Sequence, residues 1–121
     1  MYQRHITGKF GETEVQKYLV QNNYIIVQNN FRCKFGEIDI VARDIKKGEM
    51  VFIEVKTRHN NLYGNPAEAV NMIKRKHILR TARYFLYRYN LEKEFVRIDV
   101  IEVYVNNDGS YNLNHIKQAF F

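Results

Sequence analysis

Three residues suited to metal-dependent chemistry interrupt two apolar segments of this chain. Asp39 stands between two isoleucines in GEIDIVAR (36–43), and Glu54 and Lys56 alternate with apolar residues in VFIEVKTR (51–58). Side chains alternate along a strand, so Glu54 and Lys56 share one face. Because Asp is disfavoured inside strands, Asp39 requires either a structural or a chemical reason.

Pairing of these two segments would bring the carboxylates together. A polar turn over residues 44–49 joins the segments, so they form a hairpin in which Asp39 and Glu54 converge on one face. Two close carboxylates repel each other, and a divalent cation relieves that repulsion. Mg²⁺ prefers a few carboxylates together with waters and phosphate oxygens, and such a site suits phosphodiester hydrolysis. Lys56 would then orient a water or stabilise developing charge.

The same residues also have a purely structural interpretation. Glu54 and Lys56 would form a solvated face with a cross-strand ion pair, which contributes about 0–1 kcal/mol. A lone Glu-x-Lys in a strand favours this structural interpretation. The presence of Asp39 on a neighbouring strand makes the structural interpretation and the metal site about equally well supported. The spacing alone leaves both open.

Two helices offer further groups to such a site. Glu12 shares a face of the first helix with Val15 and Leu19, whereas Glu14 lies on the opposite border of the same stripe. Periodicity does not choose between the two acids, and either suits the first turn of a helix. Lys74 lies on the core side of the second helix, where it would either reach the site or extend outward into solvent.

Positively charged residues cluster on the second helix. Lys76, Arg80 and Arg83 recur at helical spacing on one outer stripe, and Arg58 directly follows the strand that carries Glu54. Such a stripe predicts a surface that contacts phosphates, and a solvated helix face explains it equally well. We refer to Lys76, Arg80 and Arg83 as the basic stripe.

Composition narrows the class of protein. The 121 residues suit one domain, and the single cysteine, Cys33, excludes an internal disulfide, as is typical of a reducing cytoplasm. The net charge of +6 favours polyanionic partners, nucleic acid first. No apolar run is long enough to cross a bilayer, so we expect a cytoplasmic protein without a membrane partner.

The apolar periodicity predicts two helices and five strands in the order α-β-β-β-α-β-β. Asn65, Pro66 and Glu68 form a start signal for the second helix, whose apolar side comprises Ala67, Ile78, Ala82, Phe85 and Tyr89. Strand 95–105 is the most apolar, so we expect it at the sheet centre beside 51–58. The fold class is therefore α/β, with a central mixed sheet flanked by helices. The other elements are a helix over 8–22, strands over 24–33, 36–43 and 51–58, and a closing strand within 111–120.

Motifs spread along the chain resemble a known family. They are GE (11–12), GEID (36–39), VFIEVKTR (51–58), EAV (68–70) with Lys74, and RIDV (97–100). Together they resemble the YraN-like family of uncharacterised bacterial proteins. That family is similar to archaeal Holliday-junction resolvases of the PD-(D/E)XK nuclease superfamily. The resemblance implies a single restriction-endonuclease-like domain over residues 1–121.

The resemblance also implies roles for individual residues. Asp39 matches the metal-binding aspartate, and Glu54 and Lys56 match the (D/E)XK pair, although Ile38 stands where the motif's name has proline. Glu12, rather than Glu14, matches the helix-borne acid and would be a third metal ligand. Lys74 resembles an auxiliary residue of the second helix.

The implied function is a Mg²⁺- or Mn²⁺-dependent endonuclease acting on structured or branched DNA. The main alternative is a nucleic-acid-binding protein that keeps the fold without catalysis, and a third is an interaction factor that binds acidic partners. A binding module does not need a costly carboxylate cluster, which favours the enzyme. Resolvases of similar fold are dimers, and the apolar residues near the C-terminus would support a homodimer here.

Overall fold

A computed structural model describes residues 2–59 and 71–120, with side chains described from residue 9 onward in those ranges. Within these residues the chain forms two helices and five strands in the predicted order. The elements are α1 (Tyr2–Gln21), β1 (Tyr24–Cys33), β2 (Gly36–Asp44), β3 (Glu49–His59), α2 (Met72–Arg88), β4 (Phe95–Val105) and β5 (Tyr111–Ile116).

The five strands form one mixed sheet in the order β1-β2-β3-β4-β5. The first three strands are an antiparallel meander, β4 pairs with β3 in parallel, and β5 closes the sheet antiparallel to β4. The α/β class and the pairing of β4 with β3 are confirmed. The centre of the sheet is β3 rather than β4, because β5 alone lies beyond β4. No helix in the described part of the chain is both long and apolar enough to span a membrane.

Each helix covers one face of the sheet. Val15 and Leu19 of α1 pack on one face, in a cluster that includes Ile53 of β3. Ile78, Ala82 and Phe85 of α2 pack on the other face. The predicted apolar stripe of α2 is therefore confirmed over these three residues. The predicted member Tyr89 is the C-cap instead and is 43% exposed, and Ala67 lies outside the described residues.

The predicted starts of both helices were wrong, whereas the predicted closing strand within 111–120 is confirmed. Helix α1 begins at Tyr2, well before residue 8, and α2 begins at Met72. Asn71 caps α2, since its side-chain oxygen accepts a hydrogen bond from the Lys74 amide at 2.9 Å. The start signal at Asn65, Pro66 and Glu68 lies outside the described residues. Strand β5 ends at Ile116 because Gln118 adopts a left-handed φ of 51° and donates its amide to Asp99.

Gly11 allows α1 to approach the sheet closely. A methyl group at this position would collide with the hydroxyl of Thr57 on β3. A helix without a side chain here can therefore lie directly against the last part of β3. This contact brings the next residue, Glu12, close to the end of the strand that carries Glu54.

The regular alternation of β2 fails around Asp39. Ile38 packs in the α2 layer, whereas Ile40 packs in the α1 layer, although strict alternation along a strand would place both on the same face. The antiparallel ladder between β2 and β3 also stops at the pair Ile40–Ile53. The two strands separate beyond this pair. The backbone amide of Val55, which has no partner in the β2–β3 ladder, donates a hydrogen bond to the Asp39 carboxylate instead.

A buried ionic cluster lies near the opposite end of the sheet. Arg97 of β4 donates hydrogen bonds to Asp99, Asp44, Glu49 and the hydroxyl of Tyr24 at 2.7–3.1 Å. Burial raises the pKa of Asp99, but hydrogen bonds, chiefly that between its carboxylate and the His115 ring and then those from Arg97, hold it below its usual value. The cluster thus keeps its charges in the interior by mutual pairing.

Candidate functional site

The carboxyl groups of Asp39 and Glu54 meet where β2 and β3 separate. The side chain of Asp39 accepts a hydrogen bond from the backbone amide of Val55 at 2.8 Å. Its carboxyl group also lies within hydrogen-bonding reach of the Glu54 carboxyl group. The hairpin register that the sequence predicted therefore brings these two acids together. Their roles in catalysis stay predictions.

The environment of this pair favours a proton on the Asp39 carboxyl group. Burial, followed by the hydrogen bond to and repulsion from Glu54, raises the pKa of Asp39 to about 8, against the lowering effect of the Val55 amide. Asp39 can be ionised at neutral pH only if another positive charge replaces that proton. A divalent cation would supply this charge.

The oxygen atoms of Glu54 provide a further indication that a ligand belongs here. Its Oε2 atom is buried and accepts no hydrogen bond from any described residue. The ammonium groups of Lys74 and Lys56 lie 3.2 and 3.8 Å from this atom, as ion pairs without hydrogen-bond geometry. A buried carboxylate oxygen that accepts no hydrogen bond suits a hard cation that prefers oxygen ligands, such as Mg²⁺.

Substituting Asp39 by Asn should make stability less dependent on pH. The folded-state pKa of about 8 exceeds the ordinary value of 3.8, so the wild type loses stability as pH rises through this window. Asn mimics the protonated acid. We therefore expect Asp39→Asn to match the wild type near pH 4 and to exceed it by about 1–3 kcal/mol near pH 9.

This expectation is measured by urea unfolding in a chelating buffer over that pH range. Glu92→Gln is the matched control, because Glu92 is an exposed acid in the segment after α2. A stability difference for Asp39→Asn that stays constant with pH would contradict the raised pKa.

Lys74 reaches the site from α2. The helix begins at Met72, so Lys74 lies in its first turn, and its ammonium group contacts Glu54 rather than extending away from the protein. Lys56 lies on the same side of β3 as Glu54, as alternation predicted, but its contact is looser. The two lysines therefore surround one carboxylate from two different elements.

Of the two acids on α1, Glu12 is the one near the pair. Burial raises the pKa of Glu12, a hydrogen bond from the Asn30 side chain lowers it, and the charges of Glu37 and Glu54 raise it. Glu14 is engaged elsewhere, because it accepts a hydrogen bond from Tyr111 at 2.6 Å and pairs with a lysine of its own helix. The role of Glu12 as a metal ligand stays a prediction.

The described residues contain no group of three or more His, Cys, Asp or Glu arranged to hold one metal ion. The immediate donors are thus Asp39 and Glu54, with Glu12 near enough to influence both carboxyl groups electrostatically. Mg²⁺ sites commonly use one or two carboxylates and complete their shell with waters and phosphate oxygens. The residues present fit such an ion.

The basic stripe is exposed on α2, as predicted. Lys76, Arg80 and Arg83 make no ion pair with any residue in the described ranges. Arg58 is half-buried on β3, and its Nε atom is buried without a hydrogen-bond partner among the described residues. These four residues therefore offer positive charge that no described carboxylate neutralises.

Sequence reasoning missed Glu102 and Asn30. Glu102 is 2% exposed and lies beside Lys56 in the parallel register of β3 and β4, with one oxygen unpaired among the described residues. Its signal was an acid inside the most apolar strand of the chain. The side chain of Asn30 on β1 lowers the pKa of Glu12, and its signal was a polar residue within a β-branched and aromatic strand.

Comparison with known proteins places this chain among close relatives. A UPF0102 protein of Clostridium tetani (strain Massachusetts / E88) is 44% identical over 115 residues, which cover 93% of this chain and 92% of the relative. A UPF0102 protein of Clostridium botulinum (strain 657 / Type Ba4) is 46% identical over the same lengths. The model of the family described as "Uncharacterised protein family UPF0102" matches residues 11–103. The chain therefore belongs to the UPF0102 family.

Proposed function

We propose that this protein is a Mg²⁺- or Mn²⁺-dependent endonuclease that hydrolyses phosphodiester bonds in structured or branched DNA. One observation carries the proposal. Two carboxyl groups from neighbouring strands, those of Asp39 and Glu54, lie together, the pKa of Asp39 is raised, and two lysines surround the Glu54 carboxylate. The match of these residues to the PD-(D/E)XK pattern supports the same chemistry.

Asp39 and Glu54 would hold the divalent ion, with Glu12 as the third acid beside them. When bound, the ion would stabilise charge on the phosphate and lower the pKa of a water ligand. The Val55 amide orients the Asp39 carboxylate from the backbone, which fixes the direction of its free lone pairs. Lys56 and Lys74 would keep a positive charge beside the scissile phosphate, where negative charge develops.

Exposed cations support nucleic acid as the substrate. The basic stripe projects from α2, the same helix that delivers Lys74 to Glu54. A duplex or junction lying along this helix would place its backbone near the carboxylate pair. Contacts of this kind bind phosphates without reading sequence, which suits an enzyme that recognises the shape of DNA.

The same cations support a second candidate function, a nucleic-acid-binding protein without catalysis. That function would need only the basic stripe. It would not explain why the carboxyl groups of Asp39 and Glu54 lie close enough to repel each other when ionised. The cluster is costly when it is ionised, which favours the enzyme over the binding module.

Reversing the basic stripe should weaken DNA binding broadly. In a Lys76→Glu, Arg80→Glu, Arg83→Glu triple variant, we expect affinity for duplex DNA to fall by about 10²-fold or more at low salt, because phosphate contacts release counterions. The slope of affinity against salt concentration should also become shallower. Fluorescence anisotropy across a salt series measures both quantities.

A charge-matched control separates this surface from net charge. Lys46, Lys47 and Lys117 are also exposed, but they lie around a cavity near the Arg97 end of the sheet. Reversing these three lysines changes net charge equally and should weaken binding far less. Equal losses in the two triple variants would remove the basic stripe from the proposal.

The proposed activity itself is tested with a panel of DNA substrates. Duplex, single-stranded, flap and four-way DNA are incubated with the protein in Mg²⁺, in Mn²⁺ or in a chelator. We expect metal-dependent cuts in the flap or four-way substrates. DNA binding without cleavage of any substrate would favour the non-catalytic function.

A further inference from the structure

Tyr87 continues the basic stripe of α2. Lys76, Arg80 and Arg83 recur at helical spacing, and Tyr87 follows Arg83 by one further turn of the helix. These four positions therefore lie on one face of α2, where side chains three and four residues apart are neighbours. All four residues are exposed, and Tyr87 is 67% exposed. The positively charged face of the helix thus ends in an exposed aromatic ring.

Two nearby tyrosines are engaged in packing, whereas Tyr87 is not. The centre of the Tyr84 ring lies 6.3 Å from that of the Phe31 ring, and the two rings are stacked. The centre of the Tyr89 ring lies 4.7 Å from that of the Phe85 ring. Tyr87 makes no hydrogen bond and no ring contact with any residue in the described ranges. The described part of the fold therefore leaves both faces of this ring open to a partner.

An exposed aromatic ring beside a row of cations suits nucleic acid with unpaired bases. Lysine and arginine side chains bind the phosphates of any nucleic acid, whereas an aromatic ring stacks only on a base whose face is open. Inside a duplex each base face is covered by the neighbouring base pair. In a single-stranded tail or branch the base faces are accessible. Tyr87 therefore offers a contact that the interior of a duplex does not use.

The position of Tyr87 along α2 sets its distance from the carboxylate pair. Lys74, whose ammonium group contacts Glu54, lies in the first turn of the helix, and Tyr87 lies in its last turn. A helix rises about 1.5 Å per residue, so these two residues are separated by about 20 Å along the axis. Successive nucleotides of one strand advance about 3.4 Å along a duplex, so this distance corresponds to about six nucleotides.

We infer that Tyr87 is a base-stacking residue that makes the protein favour DNA with unpaired nucleotides, located about six positions from the phosphate at the carboxylate pair. The inference rests on the proposed function for the placement of the DNA along α2. The stacking contact itself rests on the exposure of Tyr87 and on its position at the end of the basic stripe. The substrate class is thus DNA in which a duplex continues as a single strand or branch.

The first test measures DNA binding in a chelator, where metal-dependent cleavage does not occur. A continuous duplex and a duplex that continues as a single-stranded tail, matched in total nucleotides, are compared by fluorescence anisotropy. Tyr87→Ala should weaken binding of the tailed DNA by about 5- to 100-fold, the usual loss when one base–aromatic stack is removed. It should bind the continuous duplex as the wild type does. Tyr87→Phe retains the ring and should bind both substrates like the wild type.

Phe95→Ala is the control for the loss of an exposed aromatic ring. Phe95 is 77% exposed, and alternation along β4 places it on the sheet face opposite to α2, because its neighbour Val96 packs in the α2 layer. This variant should bind both substrates like the wild type. Binding of the tailed DNA by Tyr87→Ala at wild-type affinity would overturn the inference, and so would equal losses on the two substrates.

The second test locates the stacked base. The fluorescent base 2-aminopurine, whose emission changes when it stacks, is placed at successive positions of the tail. The chain contains no tryptophan, so this base is excited with little background from the protein. We expect the emission to change over a short stretch of the tail with the wild type and with Tyr87→Phe, but not with Tyr87→Ala. The same emission with all three proteins at every position would overturn the inference.

The two tests also separate this inference from the proposed function, because neither requires cleavage. Binding of tailed DNA that depends on Tyr87, without metal-dependent cuts in any substrate, would refute the proposed activity and retain the stacking contact. Conversely, metal-dependent cleavage by a wild type that binds tailed DNA no better than Tyr87→Ala does would refute only the role of Tyr87.

Discussion

Asp39→Asn, Glu54→Gln and Lys56→Ala are each expected to abolish metal-dependent DNA cleavage by a protein that stays folded. Asp39 and Glu54 supply the negative charge that would bind the cation, so their neutral isosteres remove a ligand charge with little change in shape. Lys56 would stabilise charge on the phosphate. A positioned group of this kind is commonly worth about 10²–10³ in rate, or roughly 3–4 kcal/mol.

The three variants should differ in metal binding. Asp39→Asn and Glu54→Gln should weaken Mg²⁺ and Mn²⁺ binding, whereas Lys56→Ala should retain it because an ammonium group is not a ligand. DNA binding without metal should persist in all three. It should strengthen in the two carboxylate variants, since repulsion between the acids and phosphate is relieved. Calorimetry for the metal and gel shifts for DNA measure these quantities beside the cleavage rate.

A matched variant controls for the loss of any acid. Glu92→Gln removes one exposed carboxylate far along the chain from the pair and should cleave at the wild-type rate. Cleavage by the three site variants at wild-type rates would show that the activity belongs to a contaminant or to another surface. A wild type that cuts no substrate and binds no divalent ion would refute the enzyme.

Arg97→Met is expected to destabilise the protein by about 3–5 kcal/mol, the cost of leaving buried charges unpaired. Arg97 is 4% exposed, and the carboxylates of Asp99 and Asp44 that it binds are also buried. Methionine has a similar length but no charge, so the main loss is electrostatic. The midpoint of urea unfolding, followed by circular dichroism, measures the change.

Two further variants identify the cause of that loss. Arg43→Met breaks the partly exposed ion pair of Arg43 with Glu94, and it should cost no more than about 1 kcal/mol. Adding Asp99→Asn to Arg97→Met removes one of the orphaned charges and should restore part of the stability. If Arg97→Met costs no more than Arg43→Met, the buried cluster contributes little to folding.

Much of the fold follows from local sequence. The β-branched and alternating segments of residues 24–59, joined by short polar turns, predict the antiparallel meander. Turn length and alternation fix the register of such a hairpin, so they also predict that Asp39 and Glu54 meet. Turn length and alternation depend on residues that are close in sequence, so the strand pairing that they predict is also found in the folded chain.

The prediction of which acid of α1 approaches the site needed more than periodicity. Glu12 and Glu14 border the same apolar stripe, and the helical pattern fits both. The choice depends on how α1 lies on the sheet, which the contact of Gly11 with Thr57 allows. Family resemblance pointed to Glu12, but the physical reason appears only when the helix is packed.

The sequence by itself determined the order of the elements, the pairing of the Asp39 and Glu54 strands, and the apolar faces of both helices. Only the tertiary structure decided the direction of Lys74, the break in alternation at Asp39, and the assembly of partners around Arg97. Periodicity specifies which face of an element is apolar, because each element must bury that face. Contacts between polar groups distant in sequence depend instead on how whole elements dock, and on which buried charges then require a partner.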